Sequence, residues 1–196
     1  MKTQLFNFRS IPVNLQWTFL LLFLFLDMTS VLVIFGSVLL HEMGHAYVAD
    51  KIGYRVNSIN LDIFYGSAEI DISHIHERDS LKIVLGGPIV NIVLFLLAYM
   101  THKMGMQSDL ITKIYTINFI LAVFNLIPVY PLDGGRIVRD ILLIYNRSNA
   151  IFISSLISLV VSISCAIIFA ANGYILSVLF FGLFAYYAIR DLKSVK

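Results

Sequence analysis

The sequence predicts an all-α polytopic membrane protein with about six transmembrane helices and a small cytoplasmic β-hairpin between the second and third. Of its 196 residues, 59% are hydrophobic and 13% are charged, and the mean hydropathy is +0.85. Soluble domains carry roughly 25% charged residues. This composition therefore excludes a soluble cytosolic domain and a disordered chain. The formal net charge of +2 argues against nucleic-acid binding, and the single cysteine excludes an intramolecular disulfide.

Apolar segments set the number of predicted spans. A membrane-spanning helix needs about 20 mostly apolar residues, because the hydrocarbon core is about 30 Å thick and each residue rises about 1.5 Å. The candidate segments are Ile11–Asp27, Ser30–Ala49, Leu81–Met100, Leu110–Ile127, Ala150–Ala171 and Tyr174–Ile189. Lys2 and Arg9 precede the first segment as in a signal peptide. No small-residue cleavage site follows it, so we interpret it as a retained span.

Basic residues predict the orientation. If the N-terminus is cytoplasmic, only Lys103 and Lys113 of the 14 Lys and Arg residues fall on the far side. Such a bias marks the cytoplasmic side, and it fits an even number of spans with both termini in the cytoplasm. We therefore expect an integral, multi-pass protein of a prokaryotic plasma membrane.

A different pattern separates the second and third segments. Apolar and polar residues alternate in Ile59–Ile63 and again in Ala68–Ile72, and Gly66-Ser67 lies between them. Alternation of period two with a glycine between the runs predicts a β-hairpin. The hairpin is either a structural cap or a sheet edge that accepts an extended peptide by strand addition.

The second segment contains His41-Glu42-Met43-Gly44-His45. Residues four apart in a helix point to the same side, so the two imidazoles can ligate one metal ion. Glu42 is then placed to hydrogen-bond a metal-bound water. An ionisable group at this depth costs about 2.5–3.5 kcal/mol on insertion scales, which favours a functional role. The alternative is that both histidines are core residues bonded to neighbouring helices.

Asp133 is the candidate for a third ligand. It follows Pro128 and Pro131, which interrupt an apolar helix, and it precedes Gly134-Gly135. Broken backbone is tolerated at membrane depth where it lines a protein cavity. The carboxylate either ligates the metal or caps the helix that begins near Gly134, and one residue can do both.

The remaining metal-ligating residues are weaker candidates. His74 and His76 share a strand face beside charged residues, which favours a surface role. His102 and Asp27 are predicted near the opposite side of the membrane from His41.

Two asparagines lie in apolar surroundings. Asn91 follows Gly86-Gly87-Pro88, where glycines permit close helix packing, and Asn125 precedes the first proline of the break. Two roles are open for these amides. They could position a substrate backbone or polarise its carbonyl, or they could be structural and hydrogen-bond adjacent helices.

Together these motifs resemble the site-2 protease family of intramembrane zinc metalloproteases, over residues 30–145. The resemblance rests on His41-Glu42-x-x-His45, Gly87-Pro88-x-x-Asn91 and Asn125-x-x-Pro128-x-x-Pro131-Leu132-Asp133-Gly134. It implies that zinc is bound by His41, His45 and Asp133, that Glu42 is the general base, and that Asn91 and Asn125 position the substrate. We expect a single membrane-embedded domain over 1–196, with two further spans in 146–196. We expect neither the PDZ nor the CBS domain of larger members, and this sequence is similar to the minimal ones.

The expected activity is zinc-dependent cleavage of transmembrane segments. The partners are then a transmembrane protein substrate and the lipid bilayer, and no oligomeric state is predicted. An alternative is a non-enzymatic metal-binding protein or transporter with Glu42 as a fourth ligand. A third is an inactive relative that acts as a membrane scaffold.

Overall fold

Helices dominate the architecture, and a four-stranded sheet accompanies them. The computed structural model describes residues 2–8, 11–61, 66–71, 75–145 and 148–194. The helices are α1 (Met28–Lys51), α2 (Glu77–Lys103), α3 (Asp109–Asn125), α4 (Asp133–Tyr145), α5 (Ala150–Ala171) and α6 (Ile175–Ser194). The strands are β1 (Lys2–Phe8), β2 (Ile11–Gln16), β3 (Val56–Leu61) and β4 (Gly66–Ile70), with a 3-10 helix at Trp17–Leu24. The predicted helical architecture is thus confirmed in part, because the chain is mostly helical but its strands form a four-stranded sheet instead of a hairpin alone.

Four of the described helices, α1, α2, α5 and α6, are long and apolar enough to cross a membrane. Each overlaps a predicted span, and α5 has the predicted bounds. The predicted fourth span corresponds to α3, which has 17 residues. The protein is therefore a membrane protein, as expected. The number of spans, the side on which the termini lie and the side of the hairpin stay predictions.

The predicted first span, Ile11–Asp27, is wrong. Residues Ile11–Gln16 form β2 and Trp17–Leu24 form the 3-10 helix. Apolar side chains alternate with Asn14 and Gln16 in this strand, the same period-two pattern that predicted the hairpin. The apolar run that remains after the strand is too short to cross the hydrocarbon core as a helix.

The sheet has the order β1-β2-β3-β4. β1 pairs antiparallel with β2, β2 pairs parallel with β3, and β3 pairs antiparallel with β4. The β3–β4 pair is a hairpin between α1 and α2, but its bounds differ from the prediction. Gly66 pairs with Leu61 inside the ladder, so Gly66-Ser67 belongs to β4. Residues 62–65 and 72, which the prediction included, lie outside the described residues.

The chain divides into two compact units, and the first comprises Met1–Ile75 and Leu85–Val123. Its core lies between the sheet and α1. The fully buried side chains there are Val13, Ala46, Ile59 and Leu61. Gly44 of α1 and Gly86 of α2 meet backbone to backbone, since a Cβ on Gly44 would lie 2.5 Å from the Gly86 oxygen. This is the close helix packing that small residues permit in membranes.

Asp27 caps the N-terminus of α1. Its Oδ1 accepts from the Ser30 N–H (3.1 Å), its Oδ2 accepts from the Ser30 hydroxyl (2.6 Å), and Lys113 Nζ lies 2.9 Å away. These hydrogen bonds hold the pKa of Asp27 well below its usual range, and the one from the Ser30 hydroxyl has the largest effect. A lowered native pKa means that the stabilisation is present above the pKa of an unfolded aspartate, about 3.9, and is lost as the pH falls below it.

Asp27→Ala is therefore expected to lower the midpoint of thermal unfolding in detergent at pH 7, with a difference from wild type that shrinks below about pH 4. Asp109→Ala is the matched control, because Asp109 also binds Lys113 (2.9 Å) but caps nothing in α1. Equal shifts for the two variants, or a shift that persists in acid, would contradict the capping role.

The second unit comprises His76–Val84 and Phe124–Lys196. α5 packs along α6, and Val129 from the loop before α4 is buried against Phe181 and Phe184. Arg139 of α4 donates to Asp191 of α6 (2.6 Å). These contacts attach the loop and α4 to the apolar helix pair. A single membrane-embedded domain over the whole chain stays a prediction.

Candidate metal centre

His41 and His45 lie on the same face of α1, as their spacing predicts. Both are 5% exposed, and their Nε2 atoms are 3.1 Å apart. A tetrahedral zinc ion with nitrogen ligands at about 2.0–2.1 Å holds two of them roughly 3.3 Å apart. The two imidazoles therefore have the separation that one shared ion requires.

Gly87 of α2 lies directly against these rings. A Cβ on this residue would lie 2.6 Å from His41 Nε2 and would also clash with His45 Nε2. Its missing side chain leaves space at the two atoms that would ligate a metal. The glycine of the Gly87-Pro88 motif is thus explained by the close approach of its backbone to the histidines.

Gly87→Ala is expected to abolish stoichiometric zinc binding, because the methyl group would occupy the position of the ion. Zinc content of the purified protein, with circular dichroism as the check on folding, measures this. Gly36→Ala in α1 is the matched control, since a Cβ added there would meet no atom within 4 Å. Full zinc occupancy in a folded Gly87→Ala protein would show that the ion does not sit between these rings.

His41 has a partner for its other ring nitrogen. His41 Nδ1 is hydrogen bonded to the side-chain oxygen of Asn91, which is fully buried in α2. Metal-ligating histidines characteristically donate their second N–H to such an acceptor, which orients the ring. The hydrogen bond leaves His41 Nε2 as the nitrogen available to an ion.

Asp133 is the first residue of α4, and a tight loop precedes it. Gly134 and Gly135 pack against the backbone of residues 126–130, where neither position has room for a Cβ. The Tyr130–Pro131 peptide bond is cis, and the Tyr130 N–H donates to the Ser158 hydroxyl of α5 (3.1 Å). The glycine pair and the anchor on α5 therefore determine where the Asp133 carboxylate lies.

Among the described residues, His41, His45 and Asp133 form one group that could hold a metal ion. One ligand atom from each lies within 4.8 Å of the others, and all three residues are buried. Two imidazole nitrogens and one carboxylate oxygen are a donor set suited to catalytic zinc, which takes three protein ligands and keeps one position open. The residues present thus fit the ion that the sequence motifs imply.

Glu42 and Asn125 complete the predicted site residues. Glu42 is 5% exposed and follows His41 in α1. Asn125 is half-buried and ends α3, immediately before the proline-interrupted loop. No described contact tests the substrate-positioning roles predicted for Asn91 and Asn125.

The weaker candidates lie elsewhere. His76 is exposed beside Glu77, and the His102 ring packs edge-on against Tyr115. Asp27 caps α1, and His74 is outside the described residues.

Sequence reasoning missed Asn118 of α3. It is 1% exposed, and its Oδ1 accepts from Asn91 Nδ2 (2.9 Å). The sequence signal that could have identified Asn118 is the one that identified Asn91, because both are amide side chains inside an apolar segment.

A family model described as peptidase family M50 matches residues 29–107 and 100–171. Among curated proteins, zinc metalloprotease MJ0392 of Methanocaldococcus jannaschii is 34% identical over 154 residues, which are 71% of this chain and 45% of that protein. Stage IV sporulation protein FB of Bacillus subtilis is 28% identical over 114 residues, which are 57% of this chain and 39% of that protein. The matches thus span less than half the length of these two relatives.

A solved structure is similar over nearly the whole chain. The site-2 protease from Methanocaldococcus jannaschii matches with a TM-score of 0.73 and 26% identity, covering 98% of this chain and 95% of that one.

Proposed function

This chain belongs to peptidase family M50, and from that premise we propose that it is an intramembrane zinc-dependent endopeptidase that cleaves transmembrane segments of other proteins. The observation that carries the proposal is the buried group of His41, His45 and Asp133, with Glu42 adjacent in α1. Relatives named zinc metalloproteases favour zinc as the ion. The candidate membrane spans favour a substrate in the bilayer.

In this proposal His41, His45 and Asp133 bind the ion through two nitrogens and one oxygen. When bound there, zinc supplies a Lewis acid that polarises a carbonyl and lowers the pKa of water to about 7. The burial of the three ligands keeps bulk water away from the centre and strengthens its electrostatic interactions.

Glu42 acts as the general base and then as the general acid. Its carboxylate removes a proton from the attacking water, whose oxygen forms a new bond to the peptide carbonyl carbon. When the C–N bond breaks, Glu42 returns that proton to the leaving amine. The position of Glu42, one residue from a ligand on the same helix, supports both roles.

A helical substrate must unwind locally, because its own backbone hydrogen bonds hide the scissile amide. We infer that β4 holds the unwound segment by strand addition. In the described part of the sheet β3 pairs on both sides, whereas β4 pairs with β3 alone and has an open edge. Of the two hairpin strands, β4 therefore has the edge that can accept a peptide. Asn125, at the end of α3, then positions the substrate backbone.

The test is reconstitution of the full chain in liposomes with a panel of single-span membrane peptides. We expect cleavage within the apolar segment, its loss after chelation and its return with added zinc. Zinc flux across the same liposomes is measured in parallel. Flux without cleavage would replace the protease proposal with the transporter alternative, and neither activity in a zinc-loaded protein would favour the scaffold.

A further inference from the structure

A chain of buried side chains connects His41 to the backbone of α3. Asn91 Oδ1 is hydrogen bonded to His41 Nδ1, and Asn91 Nδ2 donates to Asn118 Oδ1 (2.9 Å). Asn118 Nδ2 donates in turn to the Ile114 carbonyl (2.9 Å) and to the Ser37 hydroxyl (2.9 Å). The three helices α1, α2 and α3 each contribute a member.

The direction of these hydrogen bonds is determined at one end. A backbone carbonyl can only accept, so the Ile114 oxygen requires the NH₂ group of Asn118 and turns the Asn118 oxygen toward Asn91. That oxygen in turn requires the NH₂ group of Asn91, which leaves the Asn91 oxygen facing His41. An amide oxygen can only accept, so the His41 proton must be on Nδ1. His41 Nε2 is then unprotonated, the form that ligates a metal.

We propose that this amide relay, from the Ile114 carbonyl through Asn118 and Asn91, sets the tautomer of His41 for metal binding. Asn118 and Asn91 are then positioning residues, and the inference rests on the proposed metal-dependent function. It gives Asn91 a role in orienting a ligand instead of the substrate. Asn118, whose side chain is 1% exposed, belongs to the same hydrogen-bonded relay.

The surroundings of the relay preserve its direction. Asn91 is 0% exposed and Ser37 is 5% exposed, so water does not compete for the amides. The groove outside Ser37 and Asn118 is lined mainly by apolar side chains of α1, α2 and α3. In such an environment an unmade hydrogen bond costs more than in water, so the directed arrangement is strongly favoured.

Asn118→Leu tests the relay, because leucine is similar in size but has no polar atoms. Without the Asn118 oxygen, the Asn91 NH₂ group keeps a long contact to the Ser37 carbonyl (3.5 Å), which holds it less strongly than the 2.9 Å hydrogen bond to Asn118. The amide can then turn this group toward His41, which places the ring proton on Nε2 and blocks the ligand atom. Apparent metal affinity falls in proportion to the competent fraction. We expect zinc binding about tenfold weaker, measured by chelator competition at pH 8, at the lower end of the 10–100-fold typical for such changes.

The same substitution is then made in the Asn91→Asp background. A carboxylate can only accept, so it holds the His41 Nδ1 proton without help from Asn118. We expect Asn118→Leu to cost no zinc affinity in this background. Equal losses in both backgrounds would show a purely structural role for Asn118, and no loss in the wild-type background would show that the relay does not act; either result would overturn the proposal.

Two further measurements separate this inference from the proposed function. Ser162→Ala removes a fully buried hydroxyl of α5, outside the relay, and is expected to leave zinc affinity unchanged. Nitrogen-15 NMR of His41 in the zinc-free full chain reports the tautomer directly. We expect an Nδ1–H ring in wild type and a mixture in Asn118→Leu. If wild type binds no zinc the proposed function fails, and the NMR result still decides the relay: an Nε2–H ring in wild type contradicts it.

Discussion

Glu42→Gln is expected to slow peptide cleavage severely while leaving zinc bound. Glutamine keeps the size of the side chain and one acceptor oxygen, but it cannot take a proton from water. General acid–base catalysis contributes about 10²–10⁴-fold, so kcat should fall by roughly that factor. Zinc stoichiometry should stay at the wild-type value, because Glu42 is not a ligand in the proposed mechanism. Cleavage of a reconstituted peptide and zinc analysis of the same sample measure both effects.

The matched control is Glu77→Gln, since Glu77 lies in the first turn of α2 and outside the candidate site. Its turnover should equal that of wild type. Loss of zinc in Glu42→Gln would instead make Glu42 a fourth ligand, as the transporter alternative requires. Undiminished turnover would remove Glu42 from the mechanism altogether.

Asp133→Ala is expected to remove zinc and activity together. His41 and His45 alone leave the ion with two protein ligands, one fewer than catalytic zinc sites use. Loss of a direct ligand should weaken binding more than the roughly 10–100-fold that loss of a ligand's hydrogen-bond partner costs. Zinc stoichiometry after gel filtration in detergent measures the first effect, and cleavage at saturating zinc measures the second.

Asp140→Asn provides the matched control, because Asp140 is also a buried carboxylate of α4, two turns later. Burial raises the pKa of Asp140, so the neutral amide removes a charge that the surroundings already disfavour. Zinc should stay bound in this variant. If Asp133→Ala keeps stoichiometric zinc, the carboxylate is no ligand, and the helix cap that the sequence also allowed is the remaining role.

The predictions from periodicity succeeded where one pattern dominated a long segment. The bounds of α5 were predicted to the residue, because its 22 residues include no charged residue, proline or glycine, so nothing competes with a helix. The segment Ile11–Asp27 failed because two short patterns follow each other there. Averaged over the strand and the 3-10 helix together, the hydropathy is as high as in a membrane span, although the alternation of apolar and polar residues in β2 is visible in the sequence.

In the sheet, the positions of the hairpin strands were easier to predict from the sequence than the pairing between strands that are distant in the chain. The hairpin between α1 and α2 was predicted, but its pairing with β2 was not. β2 and β3 are separated by the whole of α1, and parallel pairing between distant segments leaves no local signal in the chain. The open edge at β4 follows from that pairing.

The sequence by itself indicated which side chains form the candidate site: a spacing of four brings two imidazoles to one helix face, and the motif around the proline break supplied the carboxylate for the same group. Only the tertiary structure decided which groups surround those side chains. Gly87 approaches the imidazoles because α1 and α2 touch backbone to backbone, and Asn118 joins the relay because α3 packs beside them. Helical spacing is a property of a local stretch of chain, whereas a hydrogen bond between helices depends on packing that no single segment encodes.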